Sequence, residues 1–143
     1  MTCHQLITLP PTALSVRHGR HLVQQAVPDC GFDDLVDVAA LLVSEALTNA
    51  VVHAHTNVDL MIRCNGHLLI GVGDHDTTEV LTPLGAAGLG SLLLHPDTES
   101  ESGRGLVLIA ALAHEWGITH TDSGKTIWFT LHPDHAKHTA QAC

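Results

Sequence analysis

One stretch of the sequence, residues 35–54, restricts the possible folds more than any other. Projected on a helix at about 100° per residue, its apolar side chains gather on one broad arc, at the i, i+3, i+4, i+7 spacing of a core-facing helix. The centre of this arc is formed by Leu35, Val38, Ala39, Leu42, Ala46 and Ala50. Asn49 falls inside the arc, and Glu45 lies at its edge one turn earlier.

An amide and a carboxylate in an apolar arc need polar partners. A buried polar group without a partner costs on the order of 1–3 kcal/mol. A structural hydrogen bond could satisfy Asn49, and so could a bound metal ion, water and ligand. The helix alone favours the structural hydrogen bond. The decision between these interpretations therefore depends on other parts of the chain.

Length and charge limit the classes of function. The chain has 143 residues, which is enough for one domain with a real core. Its net charge is -9, with 6 Lys and Arg against 15 Asp and Glu. Nucleic acids and anionic membrane surfaces both favour clustered basic side chains, so neither is expected as a partner. No apolar run approaches the roughly 20 residues of a membrane span, and we expect no membrane segment.

The cysteines predict a reducing compartment. Cys3, Cys30, Cys64 and Cys143 are widely spaced, contain no CxxC pair, and follow no signal-peptide pattern. We therefore expect reduced thiols and a cytoplasmic protein.

Local patterns divide the chain into alternating elements. The predicted strands are 5–9, 58–64, 67–74, 118–121 and 125–131, and the predicted helices are 13–26, 35–54 and 106–116. Asn65-Gly66 is a strong hairpin signal. Residues 75–103 lack periodicity, which predicts a long lid, and the tail from 133 to 143 is expected to fray. The sequence thus predicts a single α+β domain over residues 1–143, a two-layer sandwich whose antiparallel or mixed sheet carries helices on one face.

Three separated groups of residues could form one chemical site. Glu45 and Asn49 are neighbours on one helix face, and Asp74 closes an apolar strand. Gly103-Arg104-Gly105 comes just ahead of a predicted helix. The N–H groups and positive dipole of a helix N-terminus suit phosphate. Each signal alone is weak, but their combination in this order is much more specific.

The same residues carry a family resemblance. The segment 44–53, Ser-Glu-Ala-Leu-Thr-Asn-Ala-Val-Val-His, resembles the N-box of the GHKL ATPase superfamily. Gly103 to Leu106 resembles its glycine-rich box, and 124–129 its closing strand. The chain is most similar to the small bacterial anti-sigma factor serine kinases of actinobacterial type, from about Leu6 to Leu131.

The resemblance implies a role for each matching residue. Asn49 would bind Mg²⁺, and Glu45 would act as general base toward a serine of a partner protein. Asp74 would accept a hydrogen bond from the adenine of ATP. The remaining residues of the implied nucleotide site are His53 at its margin, Gly103, Arg104, Gly105 and Leu106 at the phosphates, and Thr126 beneath the ring.

The resemblance also implies the partners, which are a sigma factor, an anti-sigma antagonist and a second copy of the chain. Two sequence features depart from the family. His75 and Asp76 follow Asp74 where family members have glycines, and residues 75–102 contain acids but no Lys or Arg. A non-catalytic regulator that binds such partners, with weak nucleotide binding or none, is therefore the alternative. A metal site formed by the tail histidines is a further, weaker interpretation.

Overall fold

The computed structural model describes residues 2–75, 100–122 and 124–133, without the side chains of residues 2, 3 and 100–105. Its elements are β1 (Thr2–Leu9), α1 (Ala13–Asp29), a 3₁₀ turn (Asp33–Leu35), α2 (Val36–Ala54), β2 (Val58–Asn65), β3 (Leu68–Asp74), α3 (Ser100–Leu112), β4 (Glu115–Thr121) and β5 (Gly124–Leu131). Their order confirms the predicted α+β arrangement. Most of the predicted lid, 76–99, and the tail from 134 onward lie outside the described residues.

The five strands form one antiparallel sheet in the order β1-β2-β3-β5-β4. Because side chains alternate across a strand, Val58, Leu60 and Ile62 of β2 point toward the helices, where they are buried. The predicted hairpin between β2 and β3 is confirmed, and its turn is centred on Gly66, since Cys64 pairs with Leu68 and Gly66 has a positive φ of 82°. Within the described ranges, the helices lie on this face of the sheet.

Helix α2 is the centre of the helix layer. It packs against α1, α3 and β3, and its buried residues include the small side chains Ala39, Ala46 and Ala50. The segment Asp33–Ala54 reaches a mean hydropathy of 1.7, so by length and composition it could cross a membrane. The expectation that no apolar run would approach this length was therefore wrong. In the structure this segment is a core helix.

The other face of the sheet, which we call the open face, is not covered by any helix of the described residues. One row across all five strands consists of Leu6, Met61, Gly71, Trp128 and Gly117. Leu6 is 63% exposed. The Trp128 ring covers Gly117, where a Cβ would approach Cζ2 of Trp128 to 2.6 Å. An apolar row thus crosses the open face, which carries no helix among the described residues.

A disulfide joins the end of α1 to the sheet. Cys30 follows α1 and is bonded to Cys64 of β2, with 6.4 Å between the two Cα atoms. The prediction of reduced thiols was wrong for these two residues, because folding brings together positions that are 34 residues apart. Both side chains are buried.

Reduction of this disulfide should lower the free energy of unfolding. Closing a loop of this size stabilises a fold by about 2–4 kcal/mol, mainly by restricting the unfolded chain. Urea unfolding with and without dithiothreitol measures the effect. The double variant Cys30→Ser/Cys64→Ser is the control, because the reductant should not change its midpoint. Equal midpoints for the wild type under both conditions would contradict the prediction.

Gly19 permits the close approach of α1 to α2. It is buried in the middle of α1, and a Cβ there would overlap Cδ1 of Leu47 and lie 3.3 Å from Cδ2 of Leu60. Leu47 is fully buried, so it has little room to move. The absence of a side chain at position 19 is therefore required by the packing.

The variant Gly19→Ala should lower the free energy of unfolding by about 1 kcal/mol. Overpacking costs about 1–3 kcal/mol, while the better helix propensity of Ala returns about 1 kcal/mol. In a Leu47→Ala background the overlap is absent, so the same change should instead stabilise the protein. Chemical denaturation of the four proteins tests this reversal, and a destabilisation that is equal in both backgrounds would exclude the overlap as its cause.

Candidate functional site

Two of the three predicted groups, the pair Glu45 and Asn49 on α2 and Asp74 on β3, lie toward one end of the sheet and its helix layer. We call this end the Asp74 end. Helix α2 leads through residues 55–57 into Val58, and Val58 pairs with Asp74. The C-terminal half of α2, which carries Asn49, is therefore close to the end of β3. Helix α3 ends next to Glu115, at the opposite end of the sheet. Its beginning is therefore directed toward the Asp74 end.

Hydrogen bonds fasten this end together. The backbone N–H of His75 donates to Oγ1 of Thr56 at 3.0 Å. The His75 ring lies 3.2 Å from Oδ2 of Asp59, and Oγ1 of Thr8 donates to Oδ1 of Asp59 at 2.8 Å. The loop after α2 and the residue after β3 are thus tied to each other and to the β1–β2 pair.

Glu45 and Asn49 are half-buried on α2, one turn apart. Neighbouring hydroxyls are satisfied within the helix, since Ser44 donates to the carbonyl oxygen of Ala40 and Thr48 to that of Ser44. By contrast, the structure gives Glu45 and Asn49 no side-chain hydrogen bond or ion pair anywhere in its described part. A structural role for Asn49 requires a hydrogen bond, and the described residues provide none. Amide and carboxylate oxygens are suitable ligands for Mg²⁺, which takes one or two from a protein.

The Asp74 carboxylate is buried and bound by Lys125. The side chain of Asp74 is only 2% exposed, and its Oδ2 lies 3.2 Å from Nζ of Lys125. The backbone N–H of Lys125 donates to Oδ1 at 3.4 Å. Gly124 has a φ of 144°, and a Cβ there would overlap the backbone oxygen of Asp74. The start of β5 is therefore packed directly onto Asp74.

Sequence reasoning missed Lys125 and chose Thr126 instead. Thr126 pairs with Gly73, so it faces the side of the sheet opposite to Asp74. Lys125 shares the helix-facing side with Ile127, which is buried in the core. The alternation of β5 could have identified Lys125, because it lies two residues before Ile127. The predicted role of Thr126 stays a prediction, but the side chain next to Asp74 is that of Lys125.

The glycine-rich segment differs from its predicted form. Helix α3 begins at Ser100 and ends at Leu112, whereas the sequence predicted a helix from Leu106 to about Trp116. Gly103, Arg104 and Gly105 are therefore inside the helix. Only the first four residues of a helix, here 100–103, have N–H groups without an intrahelical acceptor. In this conformation the N–H groups of Arg104 and Gly105 are therefore not free to bind phosphate. The predicted start of this helix was wrong, and the phosphate contacts expected of Gly103, Arg104 and Gly105 stay predictions.

The other two predicted contacts lie on α3 and α2. Leu106 is 2% exposed and belongs to the hydrophobic core, so its side chain is a packing residue. His53 is exposed in the last turn of α2. A role for His53 at the site margin stays a prediction.

Histidines gather at the end of the sheet opposite to Asp74. The ring of His132 stacks on His67 with a centroid distance of 4.7 Å and lies 3.9 Å from the ring of His114. Across the described ranges, no three His, Cys, Asp or Glu side chains are arranged to hold a metal ion. The weaker interpretation, a histidine metal site, thus gains no support from these rings.

Comparison with known proteins agrees with this architecture. The sequence model described as "Histidine kinase-like ATPase domain" matches residues 9–131. The crystal structure of the RsbU and RsbW domains of Rv1364c from Mycobacterium tuberculosis is similar in fold, with a TM-score of 0.64 and 20% sequence identity. The match covers 91% of this chain and 32% of that one, so the chain spans about a third of its length. No curated protein matches.

Replacing Asn49 by Ala should leave the free energy of unfolding unchanged or raise it by about 0.5 kcal/mol, because no hydrogen bond is lost and Ala favours a helix. A structural amide would cost about 1–3 kcal/mol. Urea unfolding measures the difference. Ser15→Ala is the positive control, since Oγ of the buried Ser15 donates to the carbonyl oxygen of Pro10 at 2.7 Å. A loss for Asn49→Ala as large as that control would make Asn49 structural.

Proposed function

Because the chain belongs to the histidine kinase-like ATPase domain family, as the match over residues 9–131 shows, we propose that it binds ATP with Mg²⁺ at the Asp74 end. The observation that carries this proposal is the pair Glu45 and Asn49, half-buried one turn apart and without a side-chain partner in the described part of the chain. A nucleotide–metal pair would supply the interactions that the fold does not.

The proposed reaction is transfer of the γ-phosphoryl group to a serine of a partner protein. Such transfer depends mainly on positioning and charge neutralisation. The Asn49 side-chain oxygen would hold Mg²⁺, which supplies charge neutralisation at the phosphates. Glu45 would accept the proton of the serine hydroxyl as its oxygen bonds to phosphorus and ADP leaves. Asp74 would accept a hydrogen bond from the adenine amino group.

The proposed partners are those of an anti-sigma factor kinase, namely a sigma factor that the chain captures and an anti-sigma antagonist that it phosphorylates. Support comes from the N-box resemblance of residues 44–53 and from the fold shared with a structure that contains an RsbW domain. We also propose that the active form is a homodimer, as the resemblance implies.

A non-catalytic regulator is the second candidate. Two observations favour it, namely the engagement of the Asp74 carboxylate by Lys125 and the helical conformation of residues 103–105. The first leaves fewer acceptor positions for adenine on Asp74, and the second leaves fewer free backbone N–H groups for phosphate. Such a protein would bind the same partners without phosphorylating them.

Isothermal titration with ATP and Mg²⁺ should detect binding, and Asn49→Ala should weaken the magnesium-dependent affinity by about tenfold or more, the cost of one charge-assisted contact. Asn65 is exposed at the β2–β3 turn, at the end of the sheet opposite to Asp74, so Asn65→Ala is the matched control. Glu45→Gln should retain affinity for ATP but abolish labelling of an antagonist protein by radiolabelled ATP, because the amide cannot accept the serine proton.

Two results would contradict the kinase proposal. Equal ATP affinity of the wild type and Asn49→Ala would remove Asn49 from the site. If candidate antagonists form complexes with the wild type but remain unlabelled, the second candidate is correct.

A further inference from the structure

Lys125 occupies the carboxylate on which recognition of adenine depends in the proposed function. Its ammonium group lies 3.2 Å from Oδ2 of Asp74, and its backbone N–H donates to Oδ1 at 3.4 Å. One residue thus engages both oxygens of Asp74. An incoming adenine amino group must share or replace these contacts.

The pair is buried and its charges are matched. The side chain of Lys125 is 16% exposed and that of Asp74 is 2% exposed. Each charge alone would be costly at such a position, whereas the pair is compensated. An adenine amino group is a neutral donor and binds a carboxylate less strongly than an ammonium does. The ion pair therefore competes with adenine for Asp74.

The position of Lys125 is fixed by the backbone on both sides. Thr126 is held in register with Gly73. Gly124 lies so close to the backbone oxygen of Asp74 that a Cβ would overlap it. Rotation of the Lys125 side chain would therefore release Oδ2 of Asp74, while the backbone contact to Oδ1 stays in place. The contact has the properties of a side-chain latch on a fixed strand.

Positive side chains are scarce in this chain, yet one of them is paired with Asp74. The protein has only 6 Lys and Arg in total and a net charge of -9. A polyanionic nucleotide would gain from a positive side chain near its phosphates, but this charge is directed at a carboxylate.

We propose that Lys125 is an autoinhibitory latch, which closes the adenine subsite by pairing with Asp74 and must release Asp74 before an adenine nucleotide binds. This inference rests on the proposed function, because it requires adenine to bind Asp74. A molecule that draws Lys125 away from Asp74 would raise nucleotide affinity without touching the nucleotide.

The first test measures the pair without any nucleotide. Lys125→Met keeps most of the apolar stem and removes the charge, and Asp74→Asn removes the opposite charge. Each single variant should unfold at a lower urea concentration than the wild type, and the double variant should lose less than the sum of the two. Additive losses would show that the two side chains do not interact, and would overturn the latch.

The second test measures binding of ATP and ADP by isothermal titration. Lys125→Met should bind both nucleotides on the order of tenfold more tightly than the wild type, because the competent state no longer has to be released from the latch. GTP should show no such gain, since Asp74 would accept a hydrogen bond from the 6-amino group of adenine, and guanine has an oxygen at that position. Arg63→Met is the matched control, because Arg63 is an exposed cation on β2 next to the opposite end of the sheet.

The outcomes separate the latch from the function on which it rests. Tighter binding of ATP and ADP by Lys125→Met alone supports the latch. If the wild type binds ATP and Lys125→Met binds it equally or more weakly, the latch is wrong and the nucleotide site stands. If neither protein binds adenine nucleotides, the proposed function and the latch both fail.

Discussion

Burial of helix α2 between α1, α3 and the sheet is the interaction on which the rest of the structure depends. The helix buries small and branched apolar side chains along its length, and Gly19 lets α1 approach Leu47 closely. Packing at this density fixes the rotation of α2 about its axis. That rotation holds Glu45 and Asn49 at the edge of the buried face. The candidate site is thus a consequence of core packing.

The Asp74 end combines two kinds of polar group. Glu45 and Asn49 have no side-chain partners in the described part of the chain, whereas Asp74 is held by Lys125 through both oxygens. Polar groups half-buried without partners represent an unused capacity to bind, while a satisfied buried pair resists exchange. On α2 the proposed site therefore offers two polar side chains to a ligand, whereas on β3 the Asp74 carboxylate is already bound by Lys125.

The sequence predicted those features that depend on local pattern. The periodicity of residues 35–54, the alternation of β2 and β3 and the Asn65-Gly66 turn each signal their structure within a few residues. The order of elements followed from these signals.

The features that the sequence did not predict depend on contacts between distant residues. The Cys30–Cys64 bond joins positions 34 residues apart, and the Asp74–Lys125 pair joins positions 51 apart. The sequence indicated Thr126 and not Lys125 for this site, because a family pattern specifies residue types and the strand register decides which side they face. The start of α3 was predicted too late because two glycines suggested a loop, although tertiary packing can hold glycine in a helix.

Because the described helices lie on one face of the sheet, a single sheet separates the Asp74 end from the surface of the open face. Along β5, Lys125 faces the helices, while Thr126 and Trp128 face the open side. A molecule bound to the apolar row of the open face would contact side chains of β3 and β5, the same strands that carry Asp74 and Lys125 on their other face. Occupants of the two surfaces would not collide, yet they would share the same backbone. A small shift of β5 would therefore change both surfaces at the same time.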